Sequence, residues 1–412
     1  MSSTAARPRL AIVANAPSPY RVHQHTRIAR ELTEVELFSV FKHERNNQDY
    51  TLDLPDEIGP VVFGKGEPMI GKNSPGRALK QWSRGGEIIR WLKDNAIDAV
   101  IITGYNDLGL LRIIRWCKGH SIPCYLFTDS NVHGDRARGL ARIFKNWYVP
   151  FVLRKLTGLM PCGTKGQAFY DRYGGKNKPV FFMPHEPDYE SIEAVGETHA
   201  KAMRDEYTLD PMRRYINFTA RLADVKRPDL LIDAFARIAD QRPEWDLLMV
   251  GGGPLEEQMR DRVPDGLKQR VVWVGFQDGI ERLAALYRCS DVYVLPSSYE
   301  PWAVTVLEAC ACELAMVSSD VVGAAAEVVI DGVNGRQFRS GDRESLVKAL
   351  LEVTDQENTE RYKTASAEVL ADWRERGDPV EGVRKALRHS GVLPAIEAEK
   401  GPGQSAVEAG AA

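Results

Sequence analysis

Two carboxylates, Glu300 and Glu308, have a spacing suited to a ligand with several polar groups. Glu300 follows the apolar run Val292–Leu295, which predicts a buried strand, so its carboxylate belongs at the carboxyl end of that strand. Glu308 lies about two helical turns further on, about 10 Å away at a rise of 1.5 Å per residue. One carboxylate could bind sugar hydroxyls and the other a ribose diol. The alternative is a solvated loop acid followed by an acid on a helix surface.

The residues between these carboxylates predict the start of a helix. Pro301 suits a first turn, and the backbone N–H groups of the next four residues have no partner within a helix. These residues are Trp302, Ala303, Val304 and Thr305. Such N–H groups bind anions, so we expect a phosphate there.

Cations gather after the predicted strand Tyr215–Ala220. Arg221 offers a planar fork for phosphate oxygens, Lys226 offers a point charge, and Pro228 begins a helix beside them. A departing diphosphate needs such compensation because negative charge develops on it as the glycosidic bond breaks. Alternatively, both cations are ordinary surface charges. No Asp-rich metal motif accompanies them, so we predict no metal and no other cofactor.

Short apolar runs alternate with helix-period segments along the whole chain, a pattern typical of parallel sheets with crossover helices. We therefore predict an α/β protein with two doubly wound, Rossmann-like domains that face each other across a cleft. The predicted parts are an N-terminal acceptor-side domain at 1–190, a linker at 191–212, a C-terminal nucleotide-sugar domain at 213–375, a C-terminal helix at 376–390 that can return to the first domain, and a disordered tail at 391–412.

Five segments of the second half resemble one large enzyme family. They are RLADVK-RP, LLMVGGGP, VVWVGF, LYRCSDVYVLPSSYEPWAVTVLEACAC and EVVIDGVNGRQF, and they cover most of residues 215–340. They resemble the retaining glycosyltransferases of family 4 (glycosyl transferases group 1), which have the GT-B fold. The resemblance implies retention of anomeric configuration without a metal.

The resemblance also assigns roles to residues. It implies that Glu300 contacts the donor sugar, that Glu308 contacts the ribose, and that Arg221 with Lys226 binds the diphosphate. The expected donor site also includes Gly252, Gly253 and Phe276, which follow two further predicted strands. The motif's usual glycine is Ala303 here, and its methyl group would narrow the space beside the donor sugar.

The first half resembles the family less. Its segment Asn15–Arg21 (NAPSPYR) is similar to the P-x-P-Y-R start of a bacterial subgroup. Prolines replace the glycine-rich loop found there in many members, and Arg21 could replace that loop's donor contact electrostatically. Asp129 and His133 follow another predicted strand, where the family carries polar residues near the reacting sugar. Either could instead be structural.

The segment 136–148 interleaves cations with large apolar residues at helical spacing. Such a helix could rest on an anionic membrane surface that holds a lipid-linked acceptor. The alternative is an ordinary helix that packs Ile143, Phe144 and Trp147 into its domain.

Bulk composition narrows the function further. The 412 residues carry a net charge of −3, so no global field recruits nucleic acid. The longest apolar runs fall short of a membrane span, and six scattered cysteines suit a reducing compartment. We therefore expect a cytoplasmic protein, with peripheral contact to the inner face of the cell membrane as an option.

We predict a glycosyltransferase that takes sugar from a UDP- or GDP-sugar and passes it to a glycan, lipid-linked or small-molecule acceptor. Two alternatives stay open. One is a catalytically silent subunit that binds sugar nucleotides, suggested by Ala303 and the missing glycine loop. The other is a sugar-nucleotide epimerase of the same fold, which the paired glutamates disfavour.

Overall fold

The computed structural model describes residues 6–45, 52–67, 70, 74 and 76–395. Its N-terminal half builds a six-stranded parallel sheet in the order β3-β2-β1-β4-β5-β6. The strands are β1 (Arg9–Ala14), β2 (Glu36–Phe41), β3 (Pro60–Val62), β4 (Ala99–Thr103), β5 (Cys124–Thr128) and β6 (Gly158–Pro161).

The C-terminal half builds a second six-stranded parallel sheet in the order β12-β11-β10-β7-β8-β9. Its strands are β7 (Arg214–Thr219), β8 (Trp245–Val250), β9 (Val271–Gly275), β10 (Val292–Leu295), β11 (Ala315–Ser319) and β12 (Gly335–Phe338). Counted from its own first strand, each sheet has the order 3-2-1-4-5-6. The prediction of two doubly wound α/β units is confirmed.

Helices connect the strands of each sheet. In chain order they are α1 (Pro19–Glu31), α2 (Arg77–Asp94), α3 (Leu108–Gly119), α4 (Gly139–Leu153), α5 (Thr164–Asp171), α6 (Tyr189–Glu193), α7 (Glu197–Tyr207), α8 (Pro228–Ile238), α9 (Glu256–Arg262), α10 (Ile280–Arg288), α11 (Val304–Ala311), α12 (Ala325–Val328), α13 (Arg343–Val353), α14 (Gln356–Arg376) and α15 (Pro379–His389). Within the described part of the chain, no helix combines the length and apolar character needed to cross a membrane.

Two segments differ in detail from expectation. The short apolar run Val180–Met183 favours a strand, yet only Val180 forms a bridge, with Leu159 of β6. The flanking Pro179 and Pro184 have no backbone N–H to donate, which limits the pairing. The stretch predicted as a linker contains α7 and part of α6, both of which pack against α10.

The two halves are joined by a shared apolar core. One continuous cluster contains Leu10 of β1 and Leu295 of β10. Helix α15 crosses back to the N-terminal half, where the hydroxyl of Tyr125 donates a 2.6 Å hydrogen bond to the carbonyl of Ala386. The described part of the predicted tail ends at residue 395, and 396–412 lie outside the described residues. The domain boundaries themselves stay a prediction.

Candidate active site

The second sheet has its topological switch point between β7 and β10, where consecutive connections leave in opposite directions and a crevice opens. The loop after β7 carries Lys226, and the loop after β10 carries Glu300. The ammonium of Lys226 forms an ion pair with the carboxylate of Glu300, and both side chains are mostly buried. Two residues expected to bind one ligand, far apart in sequence, are therefore in direct contact.

The loop after β7 also carries Arg221, whose residue is exposed. This loop packs closely on the Gly251–Gly253 loop after β8. A Cβ at Gly251 would overlap the carbonyl oxygen of Ala220, and a Cβ at Gly253 would overlap that of Leu222. Those two glycines are thus required by packing between the loops.

Gly252 has a different environment. A Cβ there would meet nothing closer than 3.8 Å, and one of its nearest neighbours is Phe276. The Phe276 ring is 78% exposed at the end of β9. An open backbone and an exposed aromatic ring therefore lie side by side at this edge of the sheet.

Helix α11 begins at Val304, three residues later than the predicted start at Pro301. The residues around this start have different roles. Ala303 is the N-cap and has φ of +77°, in the left-handed region that favours glycine. The Thr305 hydroxyl accepts a 2.8 Å hydrogen bond from the Tyr293 hydroxyl. The Trp302 side chain is buried, and its Nε1 donates a 2.7 Å hydrogen bond to the carbonyl of His185. The expected donor contact of its backbone N–H stays a prediction.

Glu308 is completely buried in this structure. One carboxylate oxygen accepts a 3.3 Å hydrogen bond from Tyr20 of α1, and the other accepts a 3.0 Å bond from Tyr287 of α10. Burial raises the pKa of Glu308 to about 7, although the two tyrosine hydrogen bonds act in the opposite direction. The carboxylate expected to bind ribose is therefore covered by a side chain of the N-terminal half.

Asn131 joins the two halves beside the Lys226–Glu300 pair, and sequence reasoning missed it. Its buried amide donates to the carbonyl of Glu300 at 2.7 Å and to that of Val321 at 3.2 Å. Its side-chain oxygen accepts a hydrogen bond from the backbone N–H of His133. Its position just after a predicted strand, between Asp129 and His133, could have indicated a role at the site.

Asp129 and His133 are both exposed near this junction. Burial of its ring atoms and the charge of Lys165 lower the pKa of His133. Arg21 donates to the carbonyl of Ala16 at 2.6 Å, and burial lowers the pKa of its guanidinium while the Asp129 carboxylate raises it. The charge of Asp129, just after β5, thus acts on Arg21 in the first turn of α1.

Further contacts hold the halves together away from the ion pair. The Glu327 carboxylate accepts hydrogen bonds from the backbone N–H and the hydroxyl of Thr164 at 2.7 and 2.6 Å. Lys165 donates to the carbonyls of Asp320 and Val322. The N-terminal turn of α5 is therefore anchored to the C-terminal half, and the structure is a closed arrangement. Across the described ranges, His, Cys, Asp and Glu side chains do not gather in threes where a metal ion could be held.

Comparison with known proteins finds a family resemblance in the C-terminal half. The family model for Glycosyl transferases group 1 matches residues 200–369. We call residues 200–369, the part of the chain that this model matches, the group 1 domain. This group 1 domain contains Lys226, Glu300 and Glu308, whereas most of the N-terminal half lies outside the match.

Curated relatives match a part of the chain. A 147-residue stretch is 31% identical to the mannosylfructose-phosphate synthase of Agrobacterium fabrum, covering 34% of this chain and 32% of that protein. A 171-residue stretch is 31% identical to the lipopolysaccharide core biosynthesis mannosyltransferase LpsB of Rhizobium meliloti, covering 40% and 47%. The chain thus spans about a third to a half of the length of these relatives.

Solved structures match nearly the whole chain. The sucrose-phosphate synthase of Thermosynechococcus elongatus has a TM-score of 0.72 at 15% identity, covering 92% of this chain and 99% of its own. HepE of Anabaena in complex with UDP has a TM-score of 0.68 at 16% identity, covering 94% and 100%. At such identities the likeness shows the fold, and the predicted GT-B fold is confirmed.

Proposed function

We propose that this protein transfers a sugar from a nucleoside-diphosphate sugar to an acceptor hydroxyl, with retention of configuration and without a metal. The observation that carries the proposal is the contact of Lys226 with Glu300 at the switch point of the group 1 domain. The relatives named as mannosyltransferase and synthase support the reaction class, and the UDP complex of HepE supports a UDP- or GDP-sugar.

Lys226 and Glu300 exchange partners when the donor binds. Without a donor, each neutralises the other in a mostly buried place, where an unpaired charge would be costly. With a donor, the diphosphate takes the ammonium of Lys226 together with the exposed guanidinium of Arg221. Glu300 is then released to accept hydrogen bonds from sugar hydroxyls.

The transfer step breaks the bond between the anomeric carbon and the diphosphate oxygen, and the electron pair stays on the diphosphate. The acceptor hydroxyl oxygen bonds to the same carbon on the same face, and its proton passes to the leaving diphosphate. Cations at the diphosphate stabilise the charge that develops there. This is the role we assign to Lys226 and Arg221.

Donor entry requires the two halves to separate. Glu308 is the proposed ribose ligand, and in the closed arrangement Tyr20 covers it. Asn131 meanwhile holds the loop that carries Glu300. A cycle of opening, donor binding and closure fits these contacts, as in other enzymes whose closure completes the site. Arg21, Asp129 and His133 would then approach the donor sugar from the N-terminal half.

The exposed ring of Phe276 suits the flat face of the nucleobase. It lies beside Gly252, where the missing side chain leaves room for a ligand. Base–aromatic stacking contributes about 1–3 kcal/mol. Phe276→Ala should therefore weaken binding of the free nucleotide while leaving sugar selectivity unchanged.

Helix α4 supports peripheral contact with a membrane. The alternative in which Ile143, Phe144 and Trp147 pack into the domain is wrong, because all three are exposed, Trp147 by 62%. With Leu140 and Phe151 they form one apolar stripe, which we call the α4 stripe. Such a stripe can enter the interface of a bilayer that holds a lipid-linked acceptor.

The cations of α4 are arranged differently from the sequence-based expectation. Arg142 and Lys145 both pair with the buried carboxylate of Asp135 and are not directed to solvent. Arg138, at the start of α4, and Arg154, just after its end, are both exposed. Attraction to anionic lipid would therefore come from the ends of the helix.

A panel of nucleotide sugars tests the proposed function. We expect slow release of free nucleotide from one donor without acceptor, unaffected by EDTA. Nucleotide binding with no release from any donor would favour the silent subunit, and an epimeric donor without free nucleotide would favour the epimerase. Complete loss of turnover in EDTA, restored by a divalent metal, would contradict the metal-free mechanism.

A further inference from the structure

A cavity lies beside the second sheet, at the edge opposite to the loops that carry Lys226 and Glu300. Its volume is about 370 Å³, and its lining includes Gly196, Glu197, Arg288, Cys312, Glu313 and Lys363. Cys312 and Glu313 come between α11 and β11, so they lie at the amino end of β11. The candidate active site lies at the carboxyl ends of the strands, and this cavity is therefore a separate site. We call it the rear pocket.

One part of the rear pocket suits an anion. Arg288 ends α10, and its buried Nε has no hydrogen-bond partner among the described residues. Buried polar atoms are nearly always hydrogen-bonded, so a missing partner indicates a ligand. Gly196, the N-cap of α7, lines the same pocket, and the N–H groups in the first turn of a helix bind anions.

Glu313 brings a negative charge to the same pocket. Its φ is +61°, in the left-handed region that favours glycine and that is uncommon for glutamate. Residues held in such conformations cluster at active sites, ligand clamps and switch regions. Glu313 is exposed and lines the rear pocket, so a bound ligand can reach its carboxylate.

The pocket presents one cation and one anion that the protein does not neutralise. Glu197 and Lys363 each form an ion pair with a residue outside the lining, at 2.5 and 3.0 Å. Among the described residues, the Arg288 guanidinium donates only to the carbonyl of Ile192, and the exposed Glu313 carboxylate forms no ion pair. A ligand with a single charge would match one of these groups, whereas a ligand with a positive and a negative group matches both.

Two helices lead from the rear pocket to Glu308. Arg288 follows Tyr287 in α10, and the Tyr287 hydroxyl donates a 3.0 Å hydrogen bond to the carboxylate of Glu308. Cys312 is the C-cap of α11, and its backbone N–H donates to the carbonyl of Glu308 at 3.0 Å. The proposed ribose ligand is thus held by residues that line the pocket or adjoin it.

The thiol of Cys312 is affected by the charges at both ends of this connection. Burial raises the pKa of Cys312 to about 12, the charge of Arg288 acts in the opposite direction, and the charges of Glu308 and Glu313 raise it further. These three charged groups therefore lie close to one thiol. A ligand that changes the charge in the rear pocket acts near Glu308.

We propose that the rear pocket binds a small zwitterion and that this binding strengthens the binding of nucleotide. The anionic group would lie at Arg288 and the ammonium group at Glu313. Such a ligand would hold the ends of α10 and α11 together and keep Tyr287 on one oxygen of Glu308, with the other oxygen turned to the ribose. The volume lies at the low end of the ~300–1,000 Å³ of small-molecule sites. The effect on nucleotide rests on the proposed function.

The anionic group of the zwitterion can be a carboxylate, as in a free amino acid, or a phosphate, as in phosphoethanolamine. Isothermal titration of the full-length protein without nucleotide distinguishes the two. The probes are the twenty standard amino acids and phosphoethanolamine. Their N-acetyl derivatives lack the ammonium group, and the amino acid amides and ethanolamine lack the anion. We expect one zwitterion to bind at least about tenfold more tightly than either of its counterparts.

Glu313→Gln should weaken binding of that zwitterion about 10- to 100-fold, the usual effect of losing a charged hydrogen bond. Binding of the N-acetyl counterpart should change less than about twofold, because it has no ammonium group. The matched control is Glu281→Gln, which removes an exposed carboxylate from α10 outside the lining and should bind like the wild type. Glu313→Gly, whose backbone conformation suits glycine, should lose binding as Glu313→Gln does.

Arg288→Gln tests the other end of the ligand. It should weaken binding of the zwitterion by a similar factor and leave binding of the counterpart without an anion within about twofold. The two variants thus assign each charge of the ligand to one residue. Equal effects of Arg288→Gln on the zwitterion and on that counterpart would contradict the assignment.

Nucleotide binding tests the coupling. A saturating zwitterion should strengthen binding of UDP or GDP to the wild type by at least about fivefold, the low end of usual coupling between sites. Nucleotide should strengthen zwitterion binding by the same factor, because such coupling is reciprocal. In Glu313→Gln, the same zwitterion concentration should leave nucleotide affinity unchanged.

Three results would overturn the proposed site: no binding of any zwitterionic probe, equal binding of its counterparts, or equal behaviour of Glu313→Gln and Glu281→Gln. Unchanged nucleotide affinity at saturating zwitterion would overturn the coupling. Nucleotide-sugar turnover with any of these would leave the proposed function standing. Zwitterion binding that depends on Arg288 and Glu313, in a protein that binds no nucleotide, would contradict the proposed function and the coupling and keep the site.

Discussion

The hydroxyl of Tyr20, on the first helix, lies 3.3 Å from a carboxylate oxygen of Glu308 in the group 1 domain. This contact joins the two halves at the residue that we propose as the ribose ligand. The closed arrangement and the bound nucleotide would therefore compete for the same carboxylate. Weakening the contact should favour the nucleotide.

Tyr20→Phe should strengthen binding of the free nucleotide by about 2- to 10-fold. The variant removes one hydrogen bond of about 0.5–1.5 kcal/mol, which forms only in the closed arrangement where Tyr20 covers Glu308. Isothermal titration with UDP and GDP, for wild type and variant, measures the change. Weaker nucleotide binding in the variant would show that Tyr20 belongs to the nucleotide site instead of competing for it.

Glu308→Gln should make stability less dependent on pH. In the unfolded chain Glu308 ionises near 4.5, whereas in the folded protein it keeps its proton to a pH of about 7. Between these values the unfolded state releases a proton that the folded state retains, so the free energy of unfolding falls as pH rises.

The variant cannot ionise at this position, so its melting temperature should exceed that of the wild type by at least ~2 °C at pH 8. The difference should shrink toward pH 5. Melting curves at both pH values, without nucleotide, provide the measurement. A constant difference between the two proteins would mean that Glu308 ionises normally despite its burial.

Ala303→Gly should both stabilise the protein and broaden its choice of sugar. The φ of +77° strains an alanine by about 1–3 kcal/mol. Glycine removes this strain, and it lowers the free energy of unfolding by only ~0.4–1 kcal/mol because it makes the unfolded chain more flexible. Removing the methyl group should also relax discrimination between sugars, which such steric changes set at roughly 10- to 200-fold.

Melting temperature and kcat/KM across several sugars on one nucleotide test the two effects of Ala303→Gly separately. Higher stability with an unchanged sugar profile would mean that residue 303 does not face the donor. Lower stability would contradict the strain at this N-cap.

Asn131→Asp should lower kcat/KM by about 10- to 100-fold. Aspartate keeps the oxygen that accepts from the His133 N–H, but it cannot donate to the carbonyl of Glu300 and places a charge beside it. The loop that carries Glu300 would lose its anchor to the N-terminal half. The affinity of the group 1 domain for free nucleotide should change less than twofold. Equal losses of kcat/KM and of nucleotide affinity would contradict this positioning role.

Much of the fold could be predicted, because a buried parallel strand consists of a short run of apolar residues. Val292–Leu295 is an example. The meeting of Lys226 with Glu300 could also be expected, since both follow strands whose carboxyl ends share one edge of the sheet. Both inferences need only the pattern within one half of the chain.

The contacts across the cleft could not be predicted in this way. Tyr20 and Asn131 meet the group 1 domain because of how the two halves are oriented, and no local pattern encodes that orientation. The place of the Trp302 ring, which packs toward the N-terminal half, depends on that orientation in the same way. The exposure of Phe144 could not be predicted either, because an apolar side chain at helical spacing does not reveal whether anything covers it.

The central claim, that Lys226 neutralises a leaving diphosphate, is tested most directly by Lys226→Ala beside Lys348→Ala, which removes an exposed lysine from α13. The measurement is kcat/KM with the donor found in the nucleotide-sugar panel. Equal melting temperatures of the wild type and both variants would show that the variants are folded. We predict a loss of about 100-fold or more in Lys226→Ala, about 3 kcal/mol of lost charge stabilisation, and wild-type turnover in Lys348→Ala. Wild-type turnover in Lys226→Ala would contradict the account.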